Sequence, residues 1–166
     1  MMLVEAEVSE EWDSRIDWAT LADRWVRAAV THSDHASLEA AETEISLKFT
    51  SDEEVRALNS AWRGKDKATN VLSFPMAEGS DLAGAHLLGD VVLAWGICSA
   101  EAAEKKVRVE DHAAHLVVHG TLHLLGYDHE TGDEDAEAME KVERRALASI
   151  GIADPYAVTG VHSFNG

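Results

Sequence analysis

Polar and apolar residues alternate most cleanly at 44–50, in the run Glu44-Ile45-Ser46-Leu47-Lys48-Phe49-Thr50. A period of two predicts a strand with one buried face. The opening, residues 2–8 (Met2-Leu3-Val4-Glu5-Ala6-Glu7-Val8), reads as a first strand, followed by a polar turn at 9–11. Residues 71–75 (Val71-Leu72-Ser73-Phe74-Pro75) and 88–94 (Leu88-Gly89-Asp90-Val91-Val92-Leu93-Ala94) are short apolar runs, the second reading as a buried strand. Helical spacing takes over at about 18–29, where Trp18, Leu21, Trp25 and Ala28 recur on one face and the tryptophans are expected in the core. Ser51 with Glu54 has the form of a capping box and predicts a helix through Val55, Leu58 and Trp62. Helices are also predicted at about 97–106 and 110–125. Thr131-Gly132-Asp133-Glu134 is a further capping box, opening an acidic helix to about 150. Residues 77–89 hold three glycines and little periodicity, and are expected to form a mobile loop able to cover a site.

The helix at 110–125 carries the chemistry. His119 and His123 are four residues apart, so they lie on one side of a helix one turn from each other. Gly126 can take a positive φ, end the helix and turn the chain so that His129 returns towards the pair. Three imidazoles around one divalent ion leave a fourth position open, which is the arrangement of catalytic zinc. The spacing matches the H-E-x-x-H-x-x-G-x-x-H pattern of metzincin proteases, with Gly120 in place of the glutamate that serves as general base. Glycine within a helix costs about 1 kcal/mol relative to alanine. Gly120 therefore marks either close approach of substrate to the metal or tight packing against a neighbouring strand. His112 and His115 continue the stripe upward and read as hydrogen-bonded supports rather than ligands. Asp90, near the start of its strand, is a candidate to orient a ligand imidazole.

Length and charge then narrow the class. A chain of 166 residues fits one domain. The single cysteine, Cys98, excludes an internal disulfide framework, and the acidic opening lacks the positive region of a signal peptide. No apolar run is long enough to span a bilayer, so a cytoplasmic protein is expected. With 14 Lys+Arg against 31 Asp+Glu, the net charge of -17 argues against a broad nucleic-acid-binding surface. The one local departure is Arg63-Gly64-Lys65-Asp66-Lys67, a basic cluster that fits either a solvated loop or an anion site. The stretch 151–166 has little periodicity, so a domain over 1–150 is expected to be followed by a partly disordered tail.

The segment from His119 to His129 resembles the H-G-x-L-H-L-x-G-Y-D-H signature of the YbeY family of bacterial endoribonucleases. The segment from Arg63 to Pro75 resembles the second signature of that family, with Ala68 where proline is common, and Leu88-Gly89-Asp90 resembles a third. The resemblance implies a single-domain α/β (α+β) fold, a small mixed sheet packed by several helices around the histidine-bearing one. It also implies one zinc ion per chain held by His119, His123 and His129, and a catalytic role for Arg63. Asp90, Asp128, His115 and Gly120 are supporting candidates. By the same resemblance, the expected activity is single-strand RNA cleavage in small-subunit (16S) rRNA maturation and ribosome quality control. Small-subunit ribosomal proteins and an Era-type GTPase are the partners it implies. Two other readings compete: a metal-dependent hydrolase of peptides or amides, and a non-catalytic ribosome-associated factor. In the latter the metal would be structural, closed by a fourth ligand such as Asp128 or His115.

Overall fold

The alternating and apolar runs become one four-stranded sheet. The structure, a computed structural model, describes residues 1–156. Strands β1 (Leu3–Val8), β2 (Glu44–Thr50), β3 (Val71–Pro75) and β4 (Leu87–Ala94) lie in the order β1-β2-β4-β3. β1, β2 and β4 are parallel, and β3 runs antiparallel to β4. The helices are α1 (Trp18–His32), α2 (Asp52–Arg63), α3 (Trp95–Lys105), α4 (Val109–Leu124) and α5 (Asp133–Ser149). The expected α/β fold with a mixed sheet is thus observed.

Residue parity along the strands divides the interior in two. Ile45, Leu47, Phe49, Val91 and Leu93 share the main core with Trp18 and Trp25 of α1, the apolar side chains of α4, and Met139, Ala146 and Leu147 of α5. Trp12 packs edge-on against Trp18 and Phe49, with ring centroids 4.9 Å apart in each pair. Leu72, Val92 and Ala94 form a smaller cluster with Val55 of α2. Because α2 is short, it covers only the β3–β4 side of this second face. Glu5, Glu7, Ser46, Lys48 and Asp90 are left lining an open cleft of about 880 Å³.

Ser51 caps α2, its hydroxyl accepting from the Glu54 amide at 3.1 Å, while the Glu54 carboxylate turns to Lys48 and Thr50 instead of completing the expected box, and Gly64 closes α2 at φ 69°. α2 runs through Trp62 as expected, and that side chain is 74% exposed beside the open cleft. Two further expectations are corrected. The capping box at Thr131 does not form, because the helix starts one residue late. Gly132 is the N-cap, and the Thr131 hydroxyl donates to the Asp135 carboxylate at 2.6 Å. The loop at 77–89 contains a 3-10 helix, Gly79–Gly84, anchored by buried Leu82, and it does not line the cleft beside His123. Of the expected tail, residues 151–156 fold back so that Tyr156 is buried, while 157–166 lie outside the described residues.

Candidate metal centre

α4 is apolar almost all round, so it runs through the core with its C-terminal end at the β3 side of the sheet. Its closing turn follows from Gly126, which sits at φ 96°. The Gly126 amide bonds to the His123 carbonyl at 3.1 Å and the Tyr127 amide to the Leu122 carbonyl at 3.0 Å, the paired bonds of a Schellman ending. The Tyr127 hydroxyl then accepts from the Asp34 amide at 2.9 Å, fastening the turn to the chain after α1. This geometry returns His129 to the helix end. Its ring centroid lies 5.3 Å from those of both His119 and His123, which are themselves 4.6 Å apart.

One nitrogen from each of His119, His123 and His129 falls within 4.8 Å of the others, so the three could hold a metal ion. The finer geometry fits. The Nε2 atoms of His119 and His123 face each other at 3.1 Å. Metal–nitrogen bonds of about 2.0–2.1 Å in a tetrahedral set bring ligand atoms to roughly 3.3 Å. Nδ1 of His129 is buried with no hydrogen-bond partner among the described residues, an arrangement that costs free energy unless something else occupies the site. Burial, with His119 and His129 alongside, pushes His123 down to about 4, so its ring is neutral and carries a free lone pair at neutral pH. His119 Nδ1 lies 3.4 Å from Oε1 of Glu143, which leaves Nε2 as the atom directed at its neighbours.

Beside the trio lies a cleft of about 400 Å³ lined by Arg63, Val71, Ser73, Phe74, Pro75, His123, Gly126, Tyr127, Asp128 and Glu130. Arg63, the exposed last residue of α2, therefore shares a cavity with a candidate ligand despite lying far from it in sequence. Gly120 faces the sheet. A Cβ built there would lie 2.7 Å from a Val91 methyl, and the Ser73 hydroxyl donates to the Gly120 carbonyl at 2.9 Å. Of the two explanations for this glycine, close packing against a strand is the one observed.

The family model described as Endoribonuclease YbeY matches residues 7–151. The chain belongs to the YbeY endoribonuclease family. Curated relatives of that description include one from Novosphingobium aromaticivorans, 49% identical over 163 residues, covering 94% of this chain and 96% of the relative. Another, from Rhizorhabdus wittichii, is 52% identical over 168 residues, covering 96% and 99%. The solution structure of TM1509 from Thermotoga maritima shares the fold, with a TM-score of 0.56 at 24% identity over 90% of this chain and 91% of that one.

Within this YbeY chain, the supporting residues expected from sequence are sorted by the structure. Asp90 does not reach the histidines. It alternates with Gly89 and Val91, which face α4, and so it points into the opposite cleft, where burial raises its carboxyl above the ordinary value. Asp128 lines the histidine cleft and accepts from the Glu130 amide at 2.8 Å. His115 is buried and pairs through Nε2 with Oε2 of Glu143 at 2.7 Å. Neither Asp128 nor His115 joins the group of three among the described residues.

Glu143 is the residue that sequence reasoning missed. It is 1% exposed and contacts His119, His115 and, at 2.9 Å, the Tyr156 hydroxyl. Burial works to raise its carboxyl, but the hydrogen bonds from His115 and His119 outweigh it and leave the group well below its usual range. The available signal was a charged residue set into the apolar stripe Met139, Val142, Ala146 and Leu147, where a lone carboxylate needs buried partners.

Proposed function

We propose that this protein is a zinc-dependent endoribonuclease that cleaves single-stranded RNA, with His119, His123 and His129 holding the ion and Arg63 gripping the scissile phosphate. The observation that carries this reading is the shared cleft, in which a guanidinium and a metal-binding imidazole open onto the same solvent space. When bound, the ion supplies Lewis acidity towards a phosphoryl oxygen and activation of water. Arg63 offers two parallel N–H donors to phosphate oxygens and complements the negative charge that builds up during displacement. Phe74 and Pro75 form an apolar wall of the cleft. The acidic remainder of the surface repels RNA from unproductive sites while the cation cluster at 63–67 attracts it locally.

In line with the family resemblance, the biological setting of this reading is maturation of the small-subunit (16S) rRNA and ribosome quality control in the cytoplasm. Small-subunit ribosomal proteins and an Era-type GTPase are the partners. No helix among the described residues is long and apolar enough to cross a membrane.

A peptidase is less well supported, because the base position is Gly120 and Val91 occupies the space that a side chain there would need. A closed structural site lacks its fourth ligand among the described residues. The test is metal content and cleavage of a single-stranded RNA by the wild-type protein, His123→Ala and Arg63→Ala. About one zinc per wild-type chain is expected. His123→Ala should lose both metal and cleavage, while Arg63→Ala should keep metal and lose cleavage. Full cleavage by Arg63→Ala, or cleavage by a metal-free protein, would overturn the reading.

A further inference from the structure

We infer that Glu143 is the positioning residue of the metal centre, and that Tyr156, from the stretch beyond α5, locks it in place. This rests on the histidine trio being a metal site, and it assigns to that site a part of the chain outside its motif.

An ionised carboxylate only accepts hydrogen bonds, so each of its partners must donate. Oε1 faces Nδ1 of His119 at 3.4 Å, while Oε2 receives Nε2–H of His115 at 2.7 Å and the Tyr156 hydroxyl at 2.9 Å. Donation from Nδ1 selects one tautomer of His119, with the proton on the Glu143 side and the lone pair on Nε2. That nitrogen is the one 3.1 Å from Nε2 of His123. A carboxylate behind a metal-bound imidazole also raises the basicity of the ligand and fixes its plane. Glu143 lies outside the group able to hold an ion and acts through His119 alone.

The carboxylate is itself held from two sides. His115 stands one turn before His119 on α4, and Tyr156 arrives from the chain that folds back along α5. That return is fastened by the Tyr156 amide donating to Asp154 Oδ1 at 2.8 Å, by Arg144 Nε paired with Asp154 Oδ2 at 3.1 Å, and by the Arg144 guanidinium 5.3 Å above the Tyr156 ring. The stretch at 152–156 therefore works as a strap whose phenol reaches the metal support. Loosening the strap should weaken metal binding at a residue that touches no metal.

The experiment uses the full chain with cobalt(II) as probe, reading affinity by chelator competition and ligand field by visible absorption. It compares wild type, Glu143→Gln, Tyr156→Phe and Met139→Ala. Met139 is fully buried on the same helix, so its truncation reports the effect of destabilisation alone. Glu143→Gln should weaken cobalt binding by about 10–100-fold and shift the visible bands, and Tyr156→Phe should weaken it by a smaller factor. Met139→Ala should lower the urea midpoint while leaving affinity and spectrum unchanged. Wild-type affinity and spectrum in Glu143→Gln would overturn the inference while leaving the metal site standing, and so would an equal loss in Met139→Ala. If Glu143→Gln does not fold, Tyr156→Phe decides, with unchanged affinity counting against the strap and the carboxylate together. Failure of the wild-type protein to bind cobalt would overturn the metal reading and this inference with it.

Discussion

Two clefts meet at the edge strand β3, where both are lined by Phe74 and Pro75, and the larger is not the one beside the candidate metal centre. The cleft of about 880 Å³ is lined by Glu5, Glu7 and Asp90 with Lys48 as its cation, and Lys48 is already paired with Glu54 at 2.8 Å. The cleft of about 400 Å³ brings Arg63 together with His123, one of the three candidate ligands. Size reports how much surface the short α2 leaves uncovered. The smaller cleft sets unlike groups side by side, an imidazole and an exposed guanidinium, where the other gathers like charges that repel one another.

The contrast can be broken most forcefully at the histidines. His119→Ala should abolish stoichiometric metal binding and lower RNA cleavage by about a hundredfold or more, read by metal analysis and an RNA assay. Arg63→Ala comes next, with a cleavage loss of about a hundredfold at unchanged metal content. As Arg63 is exposed, its urea midpoint should stay within about 0.5 kcal/mol of wild type. Gly120→Ala tests the seam between α4 and the sheet. The new methyl must displace Val91, which outweighs the gain of about 1 kcal/mol in helix propensity and leaves a net loss of about 1–2 kcal/mol in urea unfolding. Equal or greater stability would show that the seam can relax.

On the other side of the sheet the effects are small and of opposite sign. The carboxyl of Glu44 is raised, first by the hydrogen bond it shares with Glu5, then by burial and the charges of Glu5 and Asp90. A carboxyl raised in the folded state favours folding while protonated and opposes it once ionised, so the penalty appears as pH climbs past 4.5. Glu44→Gln should therefore raise the urea midpoint slightly at pH 7 and leave it unchanged at pH 3, and a gain at pH 3 alone would contradict the repulsion. Asp90→Asn should change neither metal content nor cleavage measurably, since the sheet separates it from the trio.

The residues that could be read in advance are those whose neighbours are close in sequence. His119, His123, Gly126 and His129 make their site within one helix and one turn, so their spacing carried the geometry. The strands at 44–50 and 71–75 were legible because period and turn residues are local signals. Asp90 misled because β4 is apolar on both faces, and a strand buried on both sides shows no alternation from which to tell which way one carboxylate points. Glu143 was visible only as an oddity on an apolar face, since its partners come from α4 and from Tyr156, across the fold.

The strand order has a consequence for synthesis. β4 sits between β2 and β3, yet it is made after both. A chain emerging from the ribosome can pair β1 with β2 early, but β3, whose partner is β4, has nothing to bond to until residues 87–94 are out. The wall of the small cleft that carries Ser73 and Phe74 must therefore wait for the central strand, and the histidines follow later still. The order of synthesis thus makes β4 the step that completes the sheet, and the candidate metal centre is complete only once His129 has followed it.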